Sequence, residues 1–448
     1  MKLPSKPPES YTVIRKALES EPGKFSLIAQ QSNIVDYKGR YFHWDELRFR
    51  KPPKGLTIQE WWAAIRTARH VANQAISLTD ASGKEFTFCE PAQLKAALRD
   101  LDMNTGGALA SDSIALSTGE GRTHLARSLA EEPFASSFIE GAATTRQIAK
   151  KLIFDGREPR TKDERMVLNN YMAMQFIKVH KSENLTLEML LELHRVVTQG
   201  TLDDPDDAGR IRTDDNVQVV DETTNEVLHQ PPPARELKAR LSKLIAFANK
   251  KHSGMEWIHP LEKAFILHFM LSYEHPFVDG NGRVARALFY WAALREGYWL
   301  IEYVSISSVI AEAKISYGRA FLFTESDESD LTYFFIYHAK ILSRAVERLM
   351  GFVERKRKEV SALEKRLNDR GRPDAFNHRQ SWMLNEFARG RISRLTIVEH
   401  EKRHGVSYLT ARKDLEELVE HGCLQKRKAG KSSIYYPVPN LMKSLTAA

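Results

Sequence analysis

The sequence contains little cysteine and no long apolar run, and these two absences limit the kinds of protein it can encode. Its only cysteines, Cys89 and Cys423, lie far apart and in no metal-ligand spacing, which predicts a reducing compartment and no disulfide framework. No apolar run reaches membrane-spanning length, and residues 1–8 lack the apolar core of a signal peptide. We therefore expect a cytoplasmic protein with no membrane partner.

Positive charge is present in excess. The 448 residues include 66 Lys and Arg against 58 Asp and Glu, a net charge of +8, which indicates a polyanionic partner without identifying it. Hydrophobic residues make up 42% of the chain and charged residues 28%, as in soluble globular proteins. A chain of this length has material for two or three domains.

One glycine-rich loop, residues 275–286 with the sequence HPFVDGNGRVAR, lies between two predicted helices. The apolar stretch 259–274 precedes it, and the helical pattern 283–295 follows it and stops before Gly297. The first backbone N–H groups of a helix have no partner within the helix and lie at the positive end of its dipole. Because glycine lets the backbone approach an anion closely, the loop predicts a phosphate-binding site.

The polar residues of this loop have the chemistry of a phosphoryl- or nucleotidyl-transfer site. Arg283 and Arg286 are spaced to share one helix face and can reach different phosphates of one chain. Asp279 supplies a hard oxygen for Mg²⁺, which prefers one or two carboxylates together with phosphate oxygens. His275 can act as a neutral base and take a proton from an attacking hydroxyl.

The loop resembles the signature of the Fic family, HPFx(D/E)GNGRxxR, and agrees with it at every defined position. The resemblance implies transfer of AMP from ATP to a Ser, Thr or Tyr hydroxyl of a protein, with release of pyrophosphate. It implies His275 as the base, Asp279 as the Mg²⁺ ligand and Arg286 as the contact of the γ-phosphate. The other implied nucleotide contacts are Phe277, Gly280, Asn281, Gly282, Arg283 and, on the adenine side, Tyr317, for which a core position is the alternative. Relatives that phosphorylate carry Lys at the second glycine of the loop, so Gly282 favours AMP transfer.

A short segment before the loop, residues 136–141 with the sequence SSFIEG, has Ser136 and Glu140 at a spacing that places them on one helix face. By itself this pattern is an ordinary helix end at Gly141. Beside the loop it resembles the family's inhibitory motif, (S/T)xxxE(G/N). The resemblance implies that Glu140 pairs with Arg286 and competes with the γ-phosphate, so that ATP binds without productive orientation.

Residues 1–110 are predicted to form an N-terminal extension. Within it, the pattern predicts a strand over 39–44 after a turn and an amphipathic helix over 57–76. The aromatic residues of both stretches are expected in the core, with a base-stacking platform as the alternative. Residues 104–123, rich in Gly, Ser and Thr, predict a linker or exposed loop.

A β-hairpin is predicted over 217–229, where two valine-containing stretches flank a polar turn. The hairpin resembles the family's flap, whose edge holds a segment of the target protein by main-chain pairing. The alternative is a surface hairpin without a role.

The end of the chain is predicted to form a separate small domain over 375–448, after a charged linker helix over 353–374. Three helical segments followed by two strands resemble a winged helix-turn-helix, with the recognition helix starting at Ser407. Residues 376–448 carry 13 Lys and Arg against 7 Asp and Glu, a net charge of +6, which suits contact with DNA phosphates. Docking of a protein is the alternative. The HExxH spacing at 400–404 lacks a third ligand and does not predict a zinc site.

Helical patterns dominate, so the predicted fold is mainly α: a Fic-type core over 111–352 with a β-hairpin flap, an N-terminal extension and a C-terminal winged helix. The predicted function is a protein adenylyltransferase that uses ATP and Mg²⁺, modifies another protein or itself, and is inhibited by Glu140. One alternative is removal of AMP from a modified protein, with Glu140 orienting a water. Another is a DNA-binding regulator whose core senses nucleotide. Family members often self-associate, so a homo-oligomer is expected.

Overall fold

The computed structural model of the chain is mainly helical, and this confirms the predicted fold class. The structure describes residues 1–21, 23–106, 128–221, 224–368, 376–388, 392–429 and 432–438. The linker predicted over 104–123 lies almost entirely outside these ranges. Across the described ranges, no helix combines the length and apolar character needed to cross a membrane. The chain forms two compact units, Met1–Gly351 and Phe352–Ala448, and each is described by itself.

The first part of unit 1 is an α/β segment. It contains α1 (Ser10–Ser20), α2 (Lys24–Gln30), α3 (Trp44–Leu47), α4 (Ile58–Ala72), the antiparallel strands β1 (Gln74–Thr79) and β2 (Glu85–Phe88), and α5 (Ala92–Thr105). The strand predicted over 39–44 is wrong, because residues 41–43 have no regular structure and α3 begins at the next residue. His43 caps α3 by accepting a hydrogen bond from the backbone N–H of Asp45 at 3.1 Å, an end signal that strand periodicity does not contain.

The remainder of unit 1 is a helical core with one small hairpin. It contains α6 (Glu131–Ile139), α7 (Arg146–Phe154), α8 (Lys162–Val179), α9 (Leu187–Thr198), β3 (Val219–Val220), β4 (Val227–His229), α10 (Leu237–Asn249), α11 (Pro260–Glu274), α12 (Asn281–Arg295), α13 (Ile306–Ile310), α14 (Lys314–Ser326) and the first part of α15 (Thr332–Asn368). The residues of α15 from Phe352 onward belong to unit 2. Helices α11 and α12 pack against each other and are buried over nearly their whole length, as expected for helices that are apolar on all sides. The hairpin β3–β4 is antiparallel and lies within the predicted range 217–229.

A buried arginine joins the first part of unit 1 to its helical core. Arg69 on α4 is fully buried and donates hydrogen bonds to the backbone carbonyls of Ile34 and Phe42 and to the hydroxyl of Tyr333 on α15, at 2.9, 3.0 and 2.6 Å. Its guanidinium also lies 3.5 Å from the centroid of the Tyr41 ring. Because a buried charge is tolerated only where its donors are used, this contact fixes the N-terminal region to the core.

Unit 2 combines helices with a three-stranded sheet. It contains α16 (His378–Ala388), β5 (Leu395–Thr396), α17 (Ile397–His404), α18 (Tyr408–Glu420), β6 (Leu424–Ala429) and β7 (Ser432–Pro437), with strand order β5-β7-β6. Asp414 is its buried hub, accepting hydrogen bonds from Arg379 and Asn377 and lying 2.9 Å from Nε2 of His400. His400, the first histidine of the HExxH spacing, is therefore a buried core residue of unit 2.

Candidate active site

Two residues of the signature loop have left-handed backbone conformations, one at the end of α11 and one at the start of α12. His275 ends α11 in the left-handed region at φ 44°, and Gly280 precedes α12 at φ 84°. Asn281 closes the loop between them: its side-chain oxygen accepts from the N–H of Phe277 at 2.9 Å, and its side-chain nitrogen donates to the carbonyl of Phe277 at 2.8 Å. The Asn281 side chain therefore shapes the loop, and its backbone N–H is left as the group that can reach a phosphate.

Helix α9 packs against the signature loop and fixes its conformation. His194 is fully buried and stacks on Phe277 with ring centroids 3.8 Å apart and planes 6° from parallel. Its Nδ1 accepts from the N–H of Gly209, so Nε2 carries the proton and donates to the carbonyl of Asp279 at 2.9 Å. Burial lowers the pKa of His194 to about 4, which keeps the ring neutral. A Cβ at Gly280 would lie 2.8 Å from the Thr198 methyl group, so the close packing requires glycine there.

His275 has the tautomer of a general base. Its Nδ1 lies 3.1 Å from the carbonyl oxygen of Ser272; since that oxygen only accepts, Nδ1 carries the proton and Nε2 keeps the lone pair. Burial lowers the pKa of His275 below its ordinary value. The imidazole is therefore neutral at physiological pH and can take a proton through Nε2.

Asp279 and Arg283 are paired across the first turn of α12. The Asp279 carboxylate lies 3.0 Å from Nη2 of Arg283 and accepts the N–H of Gly280 at 2.6 Å, while its side chain is 55% exposed. Arg283 is buried and also donates to the carbonyl of Val197. Within the described residues, no three His, Cys, Asp or Glu side chains form a metal cage. One open carboxylate suits Mg²⁺ in the form that takes its other ligands from phosphate and water.

Arg286 is held by the two predicted residues of the segment 136–141. It is 1% exposed and donates from Nε to the Ser136 hydroxyl at 2.9 Å, from Nη2 to the Ser136 carbonyl at 3.2 Å, and from Nη2 to the Glu140 carboxylate at 2.8 Å. Although burial opposes its charge, the Glu140 carboxylate raises the pKa of Arg286. A Cβ at Gly282 would lie 2.5 Å from Oε1 of Glu140, so this carboxylate lies directly against the glycine of the predicted phosphate cradle.

Helix α6, which carries Ser136 and ends at Glu140, is anchored in the core at its other end. The carboxylate of Glu132 accepts from the Ser305 hydroxyl at 2.8 Å and from the hydroxyl and N–H of Ser307 at 2.6 and 3.0 Å. At the C-terminal end of α6, Nζ of Lys314 donates to the carbonyl of Ile139 at 2.9 Å. The anchored turn sets where Glu140 meets Arg286.

A cavity of about 260 Å³ joins these groups. His275, Gly282, Arg286 and Glu140 line it, together with Tyr317 of α14. The Tyr317 hydroxyl lies 2.9 Å from Nε2 of the buried His268, and burial raises its pKa to about 12, so it stays protonated. The structure therefore brings Tyr317 to the same cavity as the signature loop.

Arg212 connects the hairpin to the catalytic loop. It is buried and donates from Nε to the carbonyl of His275 at 3.0 Å and from a terminal nitrogen to the carbonyl of Pro232 just beyond β4. Its own N–H donates to the carbonyl of Pro276 at 2.9 Å. Neither Arg212 nor His194 was predicted from the sequence; the signal for His194 was a single histidine on the apolar face of α9.

Comparison with known proteins gives the same family for the central part of the chain. The model of the Fic/DOC family matches residues 184–293. The protein adenylyltransferase Fic of Drosophila virilis is 32% identical over 162 residues, which cover 35% of this chain and 30% of that protein. The protein of the same name from Nematostella vectensis is 30% identical over 171 residues, covering 36% and 37%. This chain thus matches about a third of the length of these curated relatives.

Among solved structures, a Fic family protein from Desulfovibrio desulfuricans G20 has a TM-score of 0.47 at 20% identity, covering 82% of this chain and 98% of that one. The family matched by residues 184–293 is the family whose signature the loop resembles. The resemblance is therefore confirmed for this part of the chain.

Proposed function

Because residues 184–293 match the model of the Fic/DOC family, we propose that this protein is a protein adenylyltransferase that moves AMP from ATP to a Ser, Thr or Tyr hydroxyl of a protein. The observation that carries the proposal is one cavity lined by a neutral histidine, a glycine at a helix start and a buried arginine: His275, Gly282 and Arg286. A base, an anion cradle and a fixed cation are the parts that AMP transfer requires.

In the proposed reaction, the hydroxyl oxygen of the target attacks the α-phosphorus of ATP, and the bond to the oxygen of pyrophosphate breaks. Nε2 of His275 takes the hydroxyl proton. The N–H groups at the start of α12 and the guanidinium of Arg283 bind the α- and β-phosphates, and Arg286 binds the γ-phosphate. Asp279 would hold Mg²⁺, and the bound ion would supply positive charge to offset the charge of the leaving pyrophosphate.

We propose further that Glu140 inhibits this reaction. Its carboxylate is 2.8 Å from Nη2 of Arg286 and against Gly282, where it occupies the guanidinium that the γ-phosphate needs. Glu140→Gly leaves Arg286 its two contacts with Ser136, so the guanidinium keeps its orientation while its outer face opens.

The test is incubation of the protein with α-labelled ATP and Mg²⁺, comparing wild type, Glu140→Gly and Glu140→Gly/His275→Ala, with and without cell lysate. We expect label on protein with Glu140→Gly at a level about tenfold or more above wild type, since a hydrogen bond to a charged group contributes roughly 1.5–3 kcal/mol. Label should be absent without His275. Label that persists in the double variant, or equal label on wild type and Glu140→Gly, would contradict the proposal.

A second candidate is removal of AMP from a modified protein. The side chain of Glu140 is 28% exposed and lines the same cavity as His275, so it could orient a water toward a bound phosphodiester. Release of AMP from a pre-modified protein by wild type, lost in Glu140→Gly, would select this reaction.

Partners follow from the other elements. We propose that the target segment pairs with the edge of the hairpin β3–β4, which the Arg212 contacts tie to the carbonyl of His275.

We propose that unit 2 is a winged helix that binds DNA: α18 begins at Tyr408 with exposed Arg412 and Lys413 nearby. Retention of DNA binding by His275→Ala would separate this role from catalysis. Self-modification and self-association stay predictions.

A further inference from the structure

The last residue of strand β4, His229, is held between two acceptors. Its Nδ1 lies 2.7 Å from a carboxylate oxygen of Glu325 on α14, and its Nε2 lies 2.8 Å from the backbone carbonyl oxygen of Tyr273 on α11. The ring is buried, with 9% of the side chain exposed. A neutral imidazole carries one N–H and offers one lone pair, so it would turn a lone pair toward one of these oxygens. Only the doubly protonated ring satisfies both contacts.

The groups around this ring favour its positive charge. Glu325 faces it from α14 and Glu274 from α11, and the Glu274 carboxylate is itself paired with Arg240 at 2.6 Å. His275, on the signature loop, also faces the His229 ring and would oppose its positive charge if His275 were itself protonated. Burial by itself opposes the charge, but the Glu325 carboxylate raises the pKa of His229 above its ordinary value.

We propose that His229 is a positioning residue, an imidazolium latch that fixes the hairpin β3–β4 to the helix end carrying His275. In the hairpin His229 is opposite Val219, so the latch holds both strands. Its contact on α11 is the carbonyl of Tyr273, two residues before His275. Glu325 and His229 both line the cavity that His275 and Arg286 share. The latch therefore sets the distance between a target segment on the hairpin and the base.

Two consequences follow for the reaction. A target hydroxyl held by a latched hairpin is placed for attack, so loss of the latch lowers kcat more than it changes KM for ATP. The positive charge of His229 also lowers the pKa of His275, which keeps the base neutral at lower pH. The kinetic part of this inference depends on the proposed adenylyl transfer, whereas the protonation state of His229 does not.

The first test is a titration of the histidine ring signals by NMR in the full chain with ¹³C-labelled histidine. The signal of His229 is assigned as the one missing from His229→Gln. We expect wild-type His229 to titrate above 6.5, its ordinary value, and to titrate lower by about one unit or more in Glu325→Gln, which removes the facing carboxylate. A pKa at or below the ordinary value, or no change in Glu325→Gln, would overturn the latch whether or not the protein transfers AMP.

The second test measures AMP transfer against pH in the Glu140→Gly background. We expect His229→Gln to lower kcat by about tenfold with less than a twofold change in KM for ATP, and to move the acid limb to higher pH because a charge near His275 is lost. His180→Gln is the matched control: His180 also faces a carboxylate, Glu183, at 2.9 Å, but lines no part of the cavity. An unchanged kcat and acid limb in His229→Gln would refute the positioning role.

Discussion

A buried carboxyl group near the start of α11 makes the stability of unit 1 depend on pH. Glu262 is fully buried, and its carboxyl group faces the carboxylate of Glu90. Burial, and then the neighbouring carboxylate of Glu90, raise its pKa to about 8. The unfolded chain releases this proton near the ordinary value of 4.5, whereas the folded protein holds it until a much higher pH.

The sign of the effect follows from the protons bound in each state. Because the folded protein binds more protons than the unfolded chain between pH 4.5 and 8, the free energy of unfolding falls as pH rises through this window. Each pKa unit corresponds to about 1.4 kcal/mol, so Glu262 reduces the free energy of unfolding by about 3 kcal/mol at pH 7 relative to a group with no shift. Glu262→Gln has nearly the same shape and carries no proton to lose.

The assay is urea unfolding of wild type and Glu262→Gln at several pH values from 5 to 8, followed by circular dichroism. We expect similar stability at the acid end, and a stability of Glu262→Gln that exceeds wild type by about 3 kcal/mol or more at the alkaline end. Glu90→Gln should give an intermediate slope, because it removes the nearby repulsion. Equal slopes for wild type and Glu262→Gln would refute the argument.

Two further predictions concern the phosphate cradle and unit 2. Gly282→Ala places a methyl group 2.5 Å from the present position of the Glu140 carboxylate. The methyl group should displace Glu140 but also occupy the phosphate cradle, so we expect protein labelling from α-labelled ATP at or below the wild-type level. Labelling as strong as that of Glu140→Gly would contradict this expectation. For Asp414, burial alone raises the pKa, but hydrogen bonds from Arg379 and other donors lower it to about 2, so its stabilising contribution is present above its ordinary pKa and is lost as pH falls toward 2. Asp414→Asn should destabilise unit 2 by about 2 kcal/mol at neutral pH, since each pKa unit corresponds to about 1.4 kcal/mol. The measurement is hydrogen exchange over 376–438, which should become faster; unchanged exchange would show that Asp414 contributes little to stability.

The sequence predicted the helix–loop–helix around His275 because helical periodicity on both sides of the loop and the glycines within it are local signals. It also predicted the pairing of Glu140 with Arg286, 146 residues apart, through a motif whose two residues act on one guanidinium. It did not predict His229, because each of its two acceptors lies on a different helix and one is a backbone carbonyl, which leaves no trace in residue type. The strand expected over 39–44 was wrong because a short run of strand-favouring aromatic residues does not reveal whether a partner strand exists.

The anchoring of α6 determines what kind of control the protein can have. Glu132 fixes the first turn of this helix in the core, while the contact with Arg286 is made at the opposite end. Displacement of the Glu140 side chain alone would therefore expose the outer face of the guanidinium and leave its two contacts with Ser136 in place. The energy at stake is that of about one ionic hydrogen bond, roughly 2 kcal/mol, which a weakly bound effector or a modest contact near Lys314 can supply. Under the proposed inhibition, the control is graded: the fraction of time that Glu140 spends away from Arg286 sets the rate.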